Sequence, residues 1–159
     1  AKQAAGEITS EQIVRDYLSK IAAVDDSGPK LNAVIATFPD AIEQARKLDA
    51  ERAQGRVRSP LHGIPVLVKD NIEVAGPVAT TAGSLALKDN ITSHDAPIIA
   101  RLREAGAVIL GKTNLSEWAN FRSSRSISGW KVRITFKSAI CCCRSAAFFA
   151  CSTPNHDNV

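Results

Sequence analysis

The sequence predicts an α/β fold, on three observations. Short apolar runs of strand length stand between stretches with helical period. The stretch 96–105, then Gly106, then Ala107-Val108-Ile109-Leu110 follow as helix, glycine turn and buried strand, the order of parallel α/β construction. The chain has 159 residues, 45% of them apolar and 23% charged, which suffices for one domain with a real core.

The first helix has a signature at its start. Thr9-Ser10-Glu11-Gln12 fits a capping box with Thr9 as the cap, and Val14, Tyr17, Leu18 and Ile21 then trace one helical stripe. Asp25-Asp26-Ser27-Gly28-Pro29 ends it. Residues 31–36 suit a strand or a buried connector. A second helix is expected over 40–54, with Ile42, Ala45 and Leu48 inward and Gly55 as its stop. The polar connection 56–60 leads to Leu61-His62-Gly63-Ile64-Pro65-Val66-Leu67-Val68-Lys69-Asp70-Asn71, read as a strand buried on both faces that ends in polar residues. Thr80-Thr81-Ala82-Gly83-Ser84 suits a plain turn or close backbone approach to a ligand. The helix over 96–105 is expected to bury Ile98, Ile99 and Leu102. A further short helix over 115–121 would set Trp118 and Phe121 at i and i+3, and 123–129 reads as a polar loop.

Composition divides the chain. All four cysteines (Cys141, Cys142, Cys143 and Cys151) follow Trp130. Residues 1–130 hold 16 Lys/Arg and 15 Asp/Glu, against 4 and 1 in 131–159. The net charge of +4 is mild and spread out, so no nucleic-acid partner is expected. No apolar run has the length of a membrane span, and there is no signal-peptide core. The chain starts at Ala1 rather than methionine, which leaves the compartment open with a lean toward the cytoplasm.

Most catalytic chemistries find no pattern here. The four cysteines and His156 invite a metal, but three adjacent cysteines and a fourth eight positions after Cys143 do not pair as zinc ligands do, and His62 and His94 lack partners at ligand spacing. Gly111-Lys112-Thr113 lacks the earlier glycine of a phosphate-binding loop, and no Gly-x-Ser-x-Gly elbow occurs. Neither a metal nor a cofactor is called for. What remains is a lysine base that activates a serine. Lys69 stands where a buried strand ends, the end at which α/β sheets gather catalytic groups and where burial disfavours a charged amine. A solvated strand end is the plain alternative, and a Schiff-base lysine a further one.

Gly63 to Asn71, then Thr80 to Ser84, then Leu102 through Gly111-Lys112-Thr113-Asn114-Leu115-Ser116-Glu117-Trp118-Ala119 resemble the amidase signature family, and Leu115 to Phe121 with Ser128-Gly129-Trp130 look most like its peptide-amidase-like branch. The resemblance runs from about Glu7 to Trp130. It implies the N-terminal part of an α/β/α sandwich around a mixed β-sheet, truncated here. It also implies amide hydrolysis by a Ser-Ser-Lys triad in which Lys69 is the lysine. Aromatic and polar residues after the Lys112 block, namely Trp118, Asn120 and Phe121, would line a pocket for a small-molecule or peptide amide substrate; a core role for the aromatics is the other reading. In the family Ser-Gly-Trp leads to a Gly-Gly-Gln stretch and the serines, whereas Trp130 here leads to Lys131-Val132-Arg133. The serine roles are therefore carried onto no residue of this chain. Residues 1–130 are read as the N-terminal part of an amidase signature domain. Residues 131–159 are read as an unrelated Cys-containing tail from a changed frame or a translated intron. The chain alone is expected to be inactive, and strands made for a larger sheet are expected to limit its solubility. A non-catalytic binding or regulatory module derived from a truncated amidase is the rival.

Overall fold

The computed structural model describes residues 2–3, 5–29 and 31–115, together with the backbone of 125–126 and 134–135. Helix α1 (Ser10–Lys20) opens with the capping box: the Thr9 hydroxyl accepts the Gln12 N–H at 3.1 Å, and the Gln12 side chain accepts the Thr9 N–H at 2.9 Å. A second cap comes from helix α2 (Ala41–Ala53). Its Asp49 carboxylate accepts the N–H groups of Ser10 at 2.7 Å and Glu11 at 2.9 Å. These donors have no partner within α1, and an anion there meets the positive end of the helix dipole. Val14 and Ile21 are buried, with Tyr17 and Leu18 packed partly against the core. Beyond Lys20 the helix widens into a π-helical segment, Ile21–Ser27, capped by Gly28, so the 25–29 stretch does end it.

Asp25 is buried and accepts the N–H groups of Ala33 at 2.7 Å and Val34 at 3.0 Å, which fixes the entry to strand β1 (Val34–Thr37). The run over 31–36 thus resolves as a strand. Helix α2 buries Ala41, Ala45 and Leu48, with Ile42 half-buried at the margin of that stripe, and stops before Gly55 at φ +76°. Helices α1 and α2 pack on each other, and α2 also lies against the sheet.

Strands β2 (Pro65–Lys69) and β3 (Val108–Thr113) complete the order β1-β3-β2. β3 is central, antiparallel to β1 and parallel to β2, so the sheet is mixed rather than purely parallel. Helix α3 (Pro97–Glu104) precedes β3 and packs against it. The core joins Val14, Ile21, Val34, Phe38, Leu48 and Val68 with Val74, Ile99 and the apolar half of β3.

Three expectations are corrected. β2 is not buried on both faces: only Val68 is buried, the other four residues being half-buried. It is an edge strand among the described residues, and central β3 takes the doubly covered place, buried from Val108 to Lys112. Ile98 is 56% exposed, because a rotation of ~100° per residue lets Ile99 and Leu102 face the sheet and turns their neighbour outward. Within the expected 123–129 loop, Arg125–Ser126 forms a short strand, β4, antiparallel to β5 (Ile134–Thr135). The helix expected over 115–121 falls beyond Leu115, outside the described residues, as do the cysteines. Among the described residues no helix is long and apolar enough to cross a membrane.

Candidate active site

Lys69 is the last residue of β2, at its carboxyl end, and is half-buried. In register it lies beside Thr113, while Val68 lies beside Lys112. Paired positions on neighbouring strands share a face and successive residues alternate, so Lys69 and Lys112 project from opposite faces of the sheet. The Lys69 carbonyl accepts the Ile72 N–H at 3.0 Å, closing a tight turn immediately after the strand.

On the other face lies a buried polar cluster. Lys112 has no exposed surface, and its ammonium donates to the Ile72 carbonyl at 2.6 Å and to the Thr80 hydroxyl at 2.8 Å. Its third direction meets Asp70, whose Oδ1 is 3.8 Å from Nζ. That separation is an ion-pair distance but too long for a hydrogen bond, and Oδ1 has no hydrogen-bond partner among the described residues. Asp70 Oδ2 accepts the Thr81 N–H at 3.1 Å and also the Thr81 hydroxyl. Burial pushes the Asp70 carboxyl above the usual carboxylate range, opposed by Thr81 and Lys112. Burial likewise holds Lys112 below the ordinary lysine value, opposed by Asp70 and Glu73. Two desolvated opposite charges persist only when each supplies what the other has lost to water.

The hydroxyl-rich segment 80–84 is a turn built on Asp70. The Ala82 N–H donates to the Asp70 carbonyl at 2.9 Å and the Gly83 N–H to the Thr81 hydroxyl at 3.1 Å, with Ala82 and Gly83 both at positive φ. His62 is a core residue: its Nδ1 accepts the Arg58 N–H at 3.3 Å, which leaves Nε2–H to donate to the Leu48 carbonyl at 2.9 Å. Trp118, Asn120 and Phe121 lie outside the described residues. No group of three His, Cys, Asp or Glu able to hold a metal occurs among the described residues, which do not include the cysteines.

Reasoning from residue types passed over the Lys112–Asp70 pair, since lysine and aspartate are ordinarily exposed. One signal was available. Lys112 sits between glycine and a β-branched threonine directly after Ala107-Val108-Ile109-Leu110, so a strand extended by three residues carries it into the core.

A family model for amidases matches residues 12–146. The chain belongs to the amidase signature family. The match includes Lys69, the 80–84 turn and Lys112, and it runs past Trp130, where the motif resemblance stops. A probable amidase of Arabidopsis thaliana is 48% identical over 128 residues, covering 79% of this chain and 24% of the relative. Among solved structures, native peptide amidase from Stenotrophomonas maltophilia is 57% identical with a TM-score of 0.74, over 82% of this chain and 26% of that one. A peptide amidase in complex with the competitive inhibitor chymostatin is 56% identical with a TM-score of 0.75, over 84% and 27%. The chain therefore spans about a quarter of the length of these relatives. Their shared mixed α/β fold agrees with the fold implied by the motifs.

Proposed function

We propose that this chain supplies the lysine base of an amide-bond hydrolase, with Lys69 as the lysine of a Ser-Ser-Lys triad. The observation that carries the proposal is the place of Lys69 at the carboxyl end of β2, followed by a hydrogen-bonded turn, within the segment matched to amidases. In the proposed reaction the neutral Lys69 amine takes a proton from the bridging serine as that serine takes the proton of the nucleophile. The nucleophile's oxygen bonds to the amide carbon, and the carbonyl electron pair moves onto oxygen. Backbone N–H donors there would each contribute roughly 2.7–4 kcal/mol. Collapse of the tetrahedral centre breaks the C–N bond, the leaving nitrogen takes back the proton, and water then hydrolyses the acyl-serine.

The substrate class that fits is a peptide or other small amide, on the strength of the peptide amidases above. Trp118, Asn120 and Phe121 are proposed as part of its pocket wall. We further propose that 1–130 is the amidase-derived part, that 131–159 is a tail of separate origin, and that both serines are missing from this chain.

A serine-directed phosphonate probe tests the reading. The 159-residue chain is expected to stay unlabelled. A chimera in which residues 12–130 replace the matching segment of the Stenotrophomonas maltophilia peptide amidase is expected to label stoichiometrically. Labelling of the chain alone, or a folded chimera that does not label, would contradict the proposal.

A further inference from the structure

We propose that Lys112 is a positioning residue for Lys69, acting through the turn that ends β2 rather than by contact. The inference rests on the reading of Lys69 as the base. The two lysines lie on opposite faces, and the hydrogen-bonded backbone between them is a route by which one can set the position of the other. That backbone is short and heavily tied. The turn closes from the Ile72 N–H onto the Lys69 carbonyl, and the carbonyl of the same Ile72 is held by the Lys112 ammonium. The same ammonium holds the Thr80 hydroxyl, at the start of the segment whose Thr81 and Ala82 bind Asp70. Asp70 is bonded directly to Lys69 in the chain, and its own N–H donates to the Thr113 carbonyl at 3.2 Å.

One buried cation thus gathers both sides of the turn: residue 72 on its outgoing limb and the 80–84 segment that clasps its second residue. Asp70 Oδ1, fully buried, without a hydrogen-bond partner among the described residues and 3.8 Å from Nζ, is the countercharge that keeps the cation in place. An ammonium suits the task because it donates to a carbonyl and a hydroxyl lying in different directions while its charge attracts the carboxylate. A neutral apolar side chain of the same length would fill the space and hold none of them.

The test uses the whole 159-residue chain at low micromolar concentration, with two readouts that need no catalysis. Deuterium exchange resolved to single amides follows Ile72 and Ala82 in the turn, with Phe38, bonded to the Leu110 carbonyl, as the sheet reference. Acylation of lysine amines by a succinimidyl ester, quantified by peptide mass spectrometry, follows Lys69 against the exposed Lys47 of α2. In Lys112→Met the Ile72 and Ala82 amides are expected to exchange at least about tenfold faster while Phe38 stays protected. The Lys69 acylation rate is expected to change by at least about threefold, with Lys47 unchanged; a merely structural lysine would leave the Lys69 rate where it was. Thr80→Val, which removes one of the two hydrogen bonds and conserves volume, is expected to move the same signals less.

A wild-type Lys69 acylation rate in folded Lys112→Met, whatever the Ile72 amide does, would overturn the proposal. If Lys112→Met fails to fold, Thr80→Val decides in the same way: a local effect at Ile72 and Lys69 supports the proposal, and its absence overturns it. Failure of the chimera to react with the phosphonate would count against Lys69 as base and leave these results standing, so the two readings fall separately.

Discussion

Glu11 sits between Arg15, 2.7 Å away on the same helix, and Arg46 of α2, whose Nε is 2.9 Å from Oε2. The two guanidinium groups, Arg46 foremost, hold its carboxyl well below the usual range, at about 2 against an ordinary 4.5. A folded-state value below the unfolded one means stability present above pH 4.5 and lost as pH falls toward 2. Glu11→Gln is therefore expected to lower the urea midpoint at pH 6, with the difference from wild type shrinking through pH 4 and gone by about pH 2. Added salt should shrink it too, because the pairs lie at the surface. At this scale the sequence was legible where a residue acts on its own neighbours, as in the Thr9–Gln12 box. It was silent where residues act over a distance in the chain. Asp49 capping α1, Asp25 setting the entry to β1 and Lys112 holding Ile72 all depend on which elements meet, and no local spacing announces that.

Among the elements, β3 bears the most constraint, being paired on both edges. Its register against β2 passes from Val66–Ile109 to Leu67–Gly111, so Leu110 is an extra residue on β3 at that point. Gly111 lies directly after it. A Cβ there would stand 2.5 Å from the Ala36 carbonyl oxygen and 3.2 Å from Leu67 Cδ2, and the first of these is backbone that cannot swing aside. Gly111→Ala is expected to destabilise the fold by about 1–3 kcal/mol, read as a lower midpoint in urea unfolding. An unchanged midpoint would mean that β1 moves freely at this point. Periodicity located α2 and α3 to within about two residues at their ends, since each carries an apolar stripe and a glycine stop, whereas α1 reaches its expected stop only through the π-helical segment Ile21–Ser27. It misjudged burial for β2 and Ile98. An apolar run shows that a strand can be covered, whereas its place in the sheet decides whether it is, and Pro65 to Lys69 occupy an edge. A helix of eight residues also has too few turns for its pattern to fix which of two adjacent isoleucines faces inward.

For the whole molecule, the described residues build three strands of a mixed sheet with helices packed on it, and the chain spans about a quarter of the peptide amidases it matches. Among the described residues the outer edges of β1 and β2 carry no further strand, and β2 is half-exposed along most of its length. Unpaired edges of this kind are templates for association. The place of Lys69 at the end of such an edge strand is what ties the fold to the proposed chemistry. The family was legible because its motifs are local blocks in a fixed order. The substrate was not, because a pocket wall is assembled from residues far apart in the chain, and no local spacing announces which of them meet.

The role of Lys69 as base is read from kcat/KM for hydrolysis of a peptide amide by the chimera carrying residues 12–130, compared with the same chimera bearing Lys69→Met. Loss of a general base typically costs about 10²–10⁴-fold, and a fall of at least about 10²-fold with an unchanged urea midpoint is the predicted result. Activity retained within about threefold in the folded Lys69→Met chimera would contradict it.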